Sequence, residues 1–166
     1  MPNWVKGSFR ARGSKEDIKK FIMEGLGPIG LILGEEKIKR ELSYEDNESF
    51  EFAFERLDDG EMVKMLHISG LNRHFLELEV SCINAYKTKK DDFYFASYFR
   101  SAWGIDTGGI VEIAKKYNID IRVNGYECGQ EFEQLFEVSR KGKIKCESYI
   151  EYEDYLWECP MPLLGG

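Results

Sequence analysis

Residues 91–142, DDFYFASYFRSAWGIDTGGIVEIAKKYNIDIRVNGYECGQEFEQLFEVSRKG, decide the fold of this 166-residue chain. Phe93, Phe95 and Phe99 line one side of an aromatic strand that ends at a Ser101-Ala102-Trp103-Gly104 corner. Ile110, Ile113, Ala114 and Tyr117 then recur at the spacing of a helix's buried stripe, opening near Asp106 or Thr107. Ile119, Ile121 and Val123 alternate as the next strand, and glycines from Gly125 to Gly129 punctuate a turn. Phe132, Phe136 and Val138 form another strand, and Lys141-Gly142 turns into a last one carrying Ile144, Cys146 and Ile150.

An amphipathic helix between a strand and an antiparallel meander must bury its stripe on the sheet. The pattern predicts an α+β protein, with antiparallel sheets, helices packed on one face, and a ferredoxin-like C-terminal half. Upstream, Val5, Phe9 and Ala11 share one face of a first strand, with Lys6, Arg10 and Arg12 opposite. Ser14 caps a helix whose start Asp17 completes, and Ile18, Phe21, Ile22 and Leu26 form its stripe. Segment 25–34 reads as the helix exit followed by a loop or short buried strand. Segment 35–47 is charged and expected to be exposed.

Phe50, Phe52 and Phe54 alternate with Glu51 and Glu55 as a strand, and Asp58-Asp59-Gly60 marks a turn. Segments 62–69 and 75–84 read as strands, the second with Leu76, Leu78 and Val80 on one face. The polar connector 87–92 separates an N-terminal α+β half, 1–88, from the C-terminal half, 89–166. The two are expected to pack as one compact unit. The first half looks like a looser version of the second, without a convincing sequence repeat.

A hydrophobic content of 43% with 14% aromatic residues excludes a disordered chain. The net charge of -7 argues against direct binding to a nucleic-acid backbone, which calls for a basic patch. Cys82, Cys128, Cys146 and Cys159 lie far apart without a CxxC pair, so free thiols in a reducing cytoplasm are expected. No apolar run reaches the roughly 18 residues of a membrane span, and the start Met1-Pro2-Asn3-Trp4 lacks a signal-peptide pattern. A cytoplasmic protein that does not engage a membrane is expected.

Chemistry is harder to find. The glycines of segment 25–34 lack the Gly-Lys-Ser/Thr ending of a phosphate loop, and Glu35 and Glu36 would repel phosphate. His67 and His74 have no metal-ligand neighbours at suitable spacing, so no metal and no cofactor are expected. A His74–Cys82 nucleophile pair is conceivable in three dimensions, but nothing local marks the thiol as activated. The carboxylates of Glu35, Glu36, Glu45, Asp46, Asp58 and Asp59 sit in charged turns, where a general acid has no apolar surround to poise it. Glu127, between Tyr126 and Cys128, comes closest to such a setting.

The C-terminal run stands out. Glu147, Glu151, Glu153, Asp154 and Glu158 have no Lys or Arg among them, and Tyr149, Tyr152, Tyr155 and Trp157 interleave. Such a surface could dock a basic protein, with the aromatics as anchors; a last strand with one wet face and a folded-back tail is the plainer alternative. The terminal Leu163-Leu164-Gly165-Gly166 is similar to ubiquitin-like tails, but after Pro160 and Pro162 a strap is expected instead.

The chain resembles the uncharacterised YubB-type family carried by phages, plasmids and integrated elements. The resemblance rests on Met1-Pro2-Asn3-Trp4, Ser101-Ala102-Trp103, Tyr126-Glu127-Cys128-Gly129 and Trp157-Glu158-Cys159-Pro160. Family members often carry prolines after the tryptophan corner, where this chain has Ile105-Asp106-Thr107-Gly108-Gly109. The resemblance implies a ferredoxin-like C-terminal domain and a mobile-element accessory role. Two readings follow. In one, a non-catalytic protein docks on a basic host protein through Glu151, Tyr152, Glu153, Asp154, Tyr155 and Trp157, as an inhibitor of host defence. In the other, a small nucleotide-like ligand binds beside Trp103, Tyr126 and Glu127.

Overall fold

The computed structural model describes residues 3–29, 37–57 and 59–166. Strand β1 (Trp4–Gly13) leads into helix α1 (Lys15–Lys20), where the Ser14 hydroxyl accepts the Asp17 amide as the N-cap. The helix continues as a π-helical turn, Phe21–Gly25. Strands β2 (Leu26–Gly27), β3 (Ile38–Glu45), β4 (Ser49–Arg56), β5 (Met65–Ile68), β6 (His74–Glu77) and β7 (Cys82–Lys87) follow. The second half holds β8 (Phe93–Ala102), α2 (Thr107–Tyr117), β9 (Asp120–Glu127), β10 (Phe132–Val138), β11 (Ile144–Glu151) and α3 (Tyr155–Glu158). The protein is sheet-rich and antiparallel, with few helices. No described helix is long and apolar enough to cross a membrane.

The main path of the sheet runs β11–β10–β9–β1–β8–β6–β5–β2. Strand β1 therefore lies between β8 and β9, paired antiparallel to both. At β8 the sheet forks. One edge of β8 pairs with β6 from Tyr98 to Ser101 and with β7 only at Phe93 and Tyr94, and β7 leads on to β4 and β3. Residues 95–97 fall between the two branches.

Alternation along β1 buries Val5, Phe9 and Ala11 and turns Lys6, Ser8, Arg10 and Arg12 to the other side. The buried side meets an aromatic layer. Phe21 lies 6.0 Å from Phe9, 6.2 Å from Phe95 and 5.3 Å from Tyr117 of α2, so both helices are anchored through one ring. Such ring pairs contribute about 0.5–1.5 kcal/mol beyond area burial. Gly7 faces Gly125 across the β1–β9 pair. A Cβ on Gly7 would sit 1.9 Å from the Asn124 carbonyl oxygen, so only glycine permits this approach.

Several expectations change. Segment 75–84 is not one strand: the Leu78 amide still bonds Lys64, but Ser81 already accepts from Phe54 of β4. The chain changes partners there, and Val80 is left 58% exposed rather than sharing the buried face of Leu76. Within the charged segment 35–47, β3 forms as an exposed edge, and residues 35 and 36 lie outside the described residues. Of segment 25–34, Leu26 and Gly27 pair with Ile68 and His67, and residues 30–34 lie outside the described residues. Asp58 of the expected turn lies outside them too. Strand β9 runs on through Glu127, which moves the glycine-punctuated turn to residues 128–131.

Candidate functional site

The C-terminal segment divides into an inner and an outer side. Tyr155 is only 2% exposed and packs with Tyr126 and Cys159, with Tyr152 and Leu164 against them. Its ring meets that of Tyr152 edge-on at 5.7 Å, and its hydroxyl donates to the Leu164 carbonyl at 3.3 Å. Burial raises the Tyr155 hydroxyl pKa, and the neighbouring Cys159 adds to the rise. The Tyr152 hydroxyl donates to Glu133 at 2.7 Å, and burial, then that carboxylate, raises its pKa too. The expectation that Tyr155 belongs to a docking surface is thereby corrected: three residues apart, Tyr152 and Tyr155 both turn inward to pin the tail.

The outer side is what that pinning leaves. Leu156 is 73% and Trp157 86% exposed, on a single helical turn beside exposed Glu151, Glu153 and Asp154. None of those three carboxylates has an ion-pair partner among the described residues. Glu158 is different, because its carboxylate accepts the amides of Glu153 and Asp154 at 3.1 and 3.3 Å. It holds the turn that presents Trp157.

At the second expected place, Trp103 is 60% exposed, whereas Tyr126 and Glu127 are buried. The Trp103 amide donates to the Asn3 carbonyl at 3.0 Å, and Trp103 itself adopts a left-handed φ of 71° at the corner. Glu127 is 1% exposed, and Tyr126 is buried. The Glu127 oxygens accept the amides of Gly129 and Gln130, so this carboxylate folds its own hairpin turn. Its hydrogen-bonding capacity is directed at backbone rather than outward.

His74 and Cys82 are not set up as the nucleophile pair that the sequence left conceivable. His74 is 3% exposed, with Nδ1 2.7 Å from the Asn72 carbonyl and Nε2 accepting the Asp106 amide at 2.9 Å. Both ring nitrogens are occupied, and burial lowers the imidazole pKa. Burial raises the Cys82 thiol pKa, and Glu51 adds to the rise, which opposes the thiolate that a nucleophile requires. All four cysteines are unpaired.

A different site emerges at the fork in the sheet. A groove of about 380 Å³ runs over the outer side of β1 and β8, lined among others by Ser8, Arg10, Glu79, Tyr86, Tyr94 and Tyr98. A cleft of about 240 Å³ adjoins it, sharing Arg10 and Tyr94 and adding Arg12, Asp120, Arg122 and Glu137. Arg12 donates to Asp120 at 2.9 Å, and Arg140 bridges Asp120 and Asp92 at 3.0 and 2.8 Å. Burial alone would raise the Asp120 carboxyl, but hydrogen bonds from Arg140 and Arg12 outweigh it and hold the pKa at about 2. Sequence reading placed Arg10 on the polar face of its strand and had no signal for the wall opposite it, which comes from residues 77–86.

Comparison with protein-family models, curated proteins and solved structures finds no match to this chain.

Proposed function

We propose that this protein is a non-catalytic docking protein that binds a basic surface of a host protein through its C-terminal face. The observation that carries this reading is the outward projection of Leu156 and Trp157 beside Glu151, Glu153 and Asp154, none of them ion-paired among the described residues. A tryptophan held in water by a pinned turn is the type of anchor that dominates protein interfaces. Surrounding carboxylates would select a basic partner and speed its approach. The resemblance to mobile-element proteins favours an accessory role in a host cytoplasm, with inhibition of a defence system as the purpose.

We also propose a ferredoxin-like C-terminal half with helices covering one face. Strands β8 and β9, joined by α2, flank β1 in the antiparallel sheet, and Phe21 meets both Tyr117 of α2 and the inner face of β1 and β8.

The test is affinity capture from host lysate, identification of the captured protein, and measurement of its affinity with purified components. The partner should carry a basic contact surface, and Trp157→Ala should weaken binding at least about thirtyfold, as loss of a hot-spot anchor does. Charge reversal at Glu151, Glu153 and Asp154 should slow association and remove most of its salt dependence. An affinity that neither change moves would overturn the docking reading.

A further inference from the structure

The geometry points to the forked groove over β1 and β8 as a binding site for a nucleoside monophosphate, its phosphate held by Arg10 and its base laid against the groove's tyrosines. The charge balance singles out Arg10. Of the cations lining the groove and its adjoining cleft, Arg12 is paired with Asp120 and Arg122 with Glu137. Arg10 has no ion pair among the described residues, yet it is exposed and belongs to both cavities. A guanidinium left uncompensated between two concavities is suited to one small anionic group, which it can engage with two parallel donors.

The remaining walls fit a planar aromatic body. Tyr86, Tyr94 and Tyr98 are each about half exposed and line the groove together. Aromatic side chains with free faces are the usual platforms for nucleobases. Glu79 sits at the Tyr98 side, where its interaction with the hydroxyl raises the tyrosine's pKa. A carboxylate there can accept an exocyclic amine of a base, opposite in character to the Arg10 side. The groove volume lies within the ordinary range for small-ligand pockets, about 300–1,000 Å³.

The fork explains why the space exists. Between the β7 and β6 branches, residues 95–97 of β8 have no ladder partner on that edge, and the chain from Leu78 to Asn84 arches past the gap. A long polyanion fits less well than a mononucleotide. Glu77, Glu79 and Glu137 border the cavities, and the chain carries a net charge of -7.

The test is calorimetric and NMR titration of the full chain with AMP, GMP, CMP and UMP, alongside adenosine, inorganic phosphate and a ten-residue oligonucleotide. At least one monophosphate should bind below about 1 mM, at least tenfold tighter than adenosine or phosphate alone. Arg10→Gln should weaken it at least tenfold and Tyr98→Ala at least fivefold, with melting temperatures unchanged because both side chains are exposed. Absence of monophosphate binding, or binding indifferent to Arg10→Gln, would overturn the proposal. So would equal affinity for inorganic phosphate, which would mark a simple anion site, or tenfold tighter binding of the oligonucleotide, which would mark a strand-binding face.

Discussion

His74 Nε2 accepts the backbone amide of Asp106 at 2.9 Å, tying the first residue of β6 to the cap of α2. The tie requires a neutral imidazole, because Nδ1 donates to the Asn72 carbonyl and Nε2 must keep its lone pair. The tautomer follows from these two partners.

Acid should therefore weaken the fold through this residue. Burial sets the folded pKa of His74 below its ordinary value of 6.5, so the unfolded chain binds the proton more readily. The stability contribution is complete above the unfolded pKa and is lost as pH falls below it toward the folded value. Urea denaturation of wild type between pH 7.5 and 5 should show that decline. His74→Leu should flatten it and cost about 1–3 kcal/mol at pH 7.5 by stranding the Asp106 amide. Equal pH slopes for the two proteins would refute the assignment.

Asp120 works with the opposite sign. Its folded pKa of about 2 lies below the ordinary 3.8, so its contribution is present above the unfolded pKa and disappears as pH falls through the folded one. Asp120→Asn should cost about 1–2 kcal/mol at neutral pH, and the gap from wild type should shrink between pH 4 and 2. Acid titrations of both proteins, followed by tryptophan fluorescence, measure that convergence.

At the β1–β9 pair, Gly7→Ala should destabilise by about 1–3 kcal/mol or more, because the methyl group meets backbone that cannot rotate away. Gly60→Ala is the useful contrast. Among the described residues no atom beyond its chain neighbours lies within 4 Å of its added Cβ, and the positive φ of 70° opposes the substitution. Thermal denaturation should rank Gly7→Ala well below Gly60→Ala.

The two sides of the C-terminal segment should separate cleanly. Tyr155→Ala opens a cavity under the tail and should cost about 3–5 kcal/mol. Trp157→Ala should change stability by less than about 0.5 kcal/mol, since its ring lies in water. Similar losses for both in chemical denaturation would show that Trp157 is packed in solution.

What the sequence made legible was local. The Ser14 cap, the Ile110–Ile113–Ala114–Tyr117 stripe and the Phe50–Phe52–Phe54 alternation each have causes within a few residues, and all three occur. Strand β3 escaped notice because it is an exposed edge with no buried face to produce alternation. The insertion of β1 between β8 and β9 depends on pairing across about a hundred residues, and no periodicity encodes that. Tyr155 was misplaced for a related reason: its inward turn needs Leu164 and Tyr126, which arrive from the tail and from β9. Arg10 was recognised as outward-facing, but its lack of a carboxylate partner could be judged only once Arg12 and Arg122 had claimed theirs.

The fork at β8 carries one more consequence. An unbranched open sheet ends in two edges; this one, among the described residues, ends in three, at β11, β2 and β3. Each unpaired edge invites strand addition from another copy of the chain. Strand β2 is only two residues long, β3 bears charges such as the Lys39–Glu41 pair, and β11 has a register shift against β10 and glutamates at Glu147 and Glu151. The branching that opens a groove thus adds a third place where polymerisation must be discouraged, and the chain meets each with a different device.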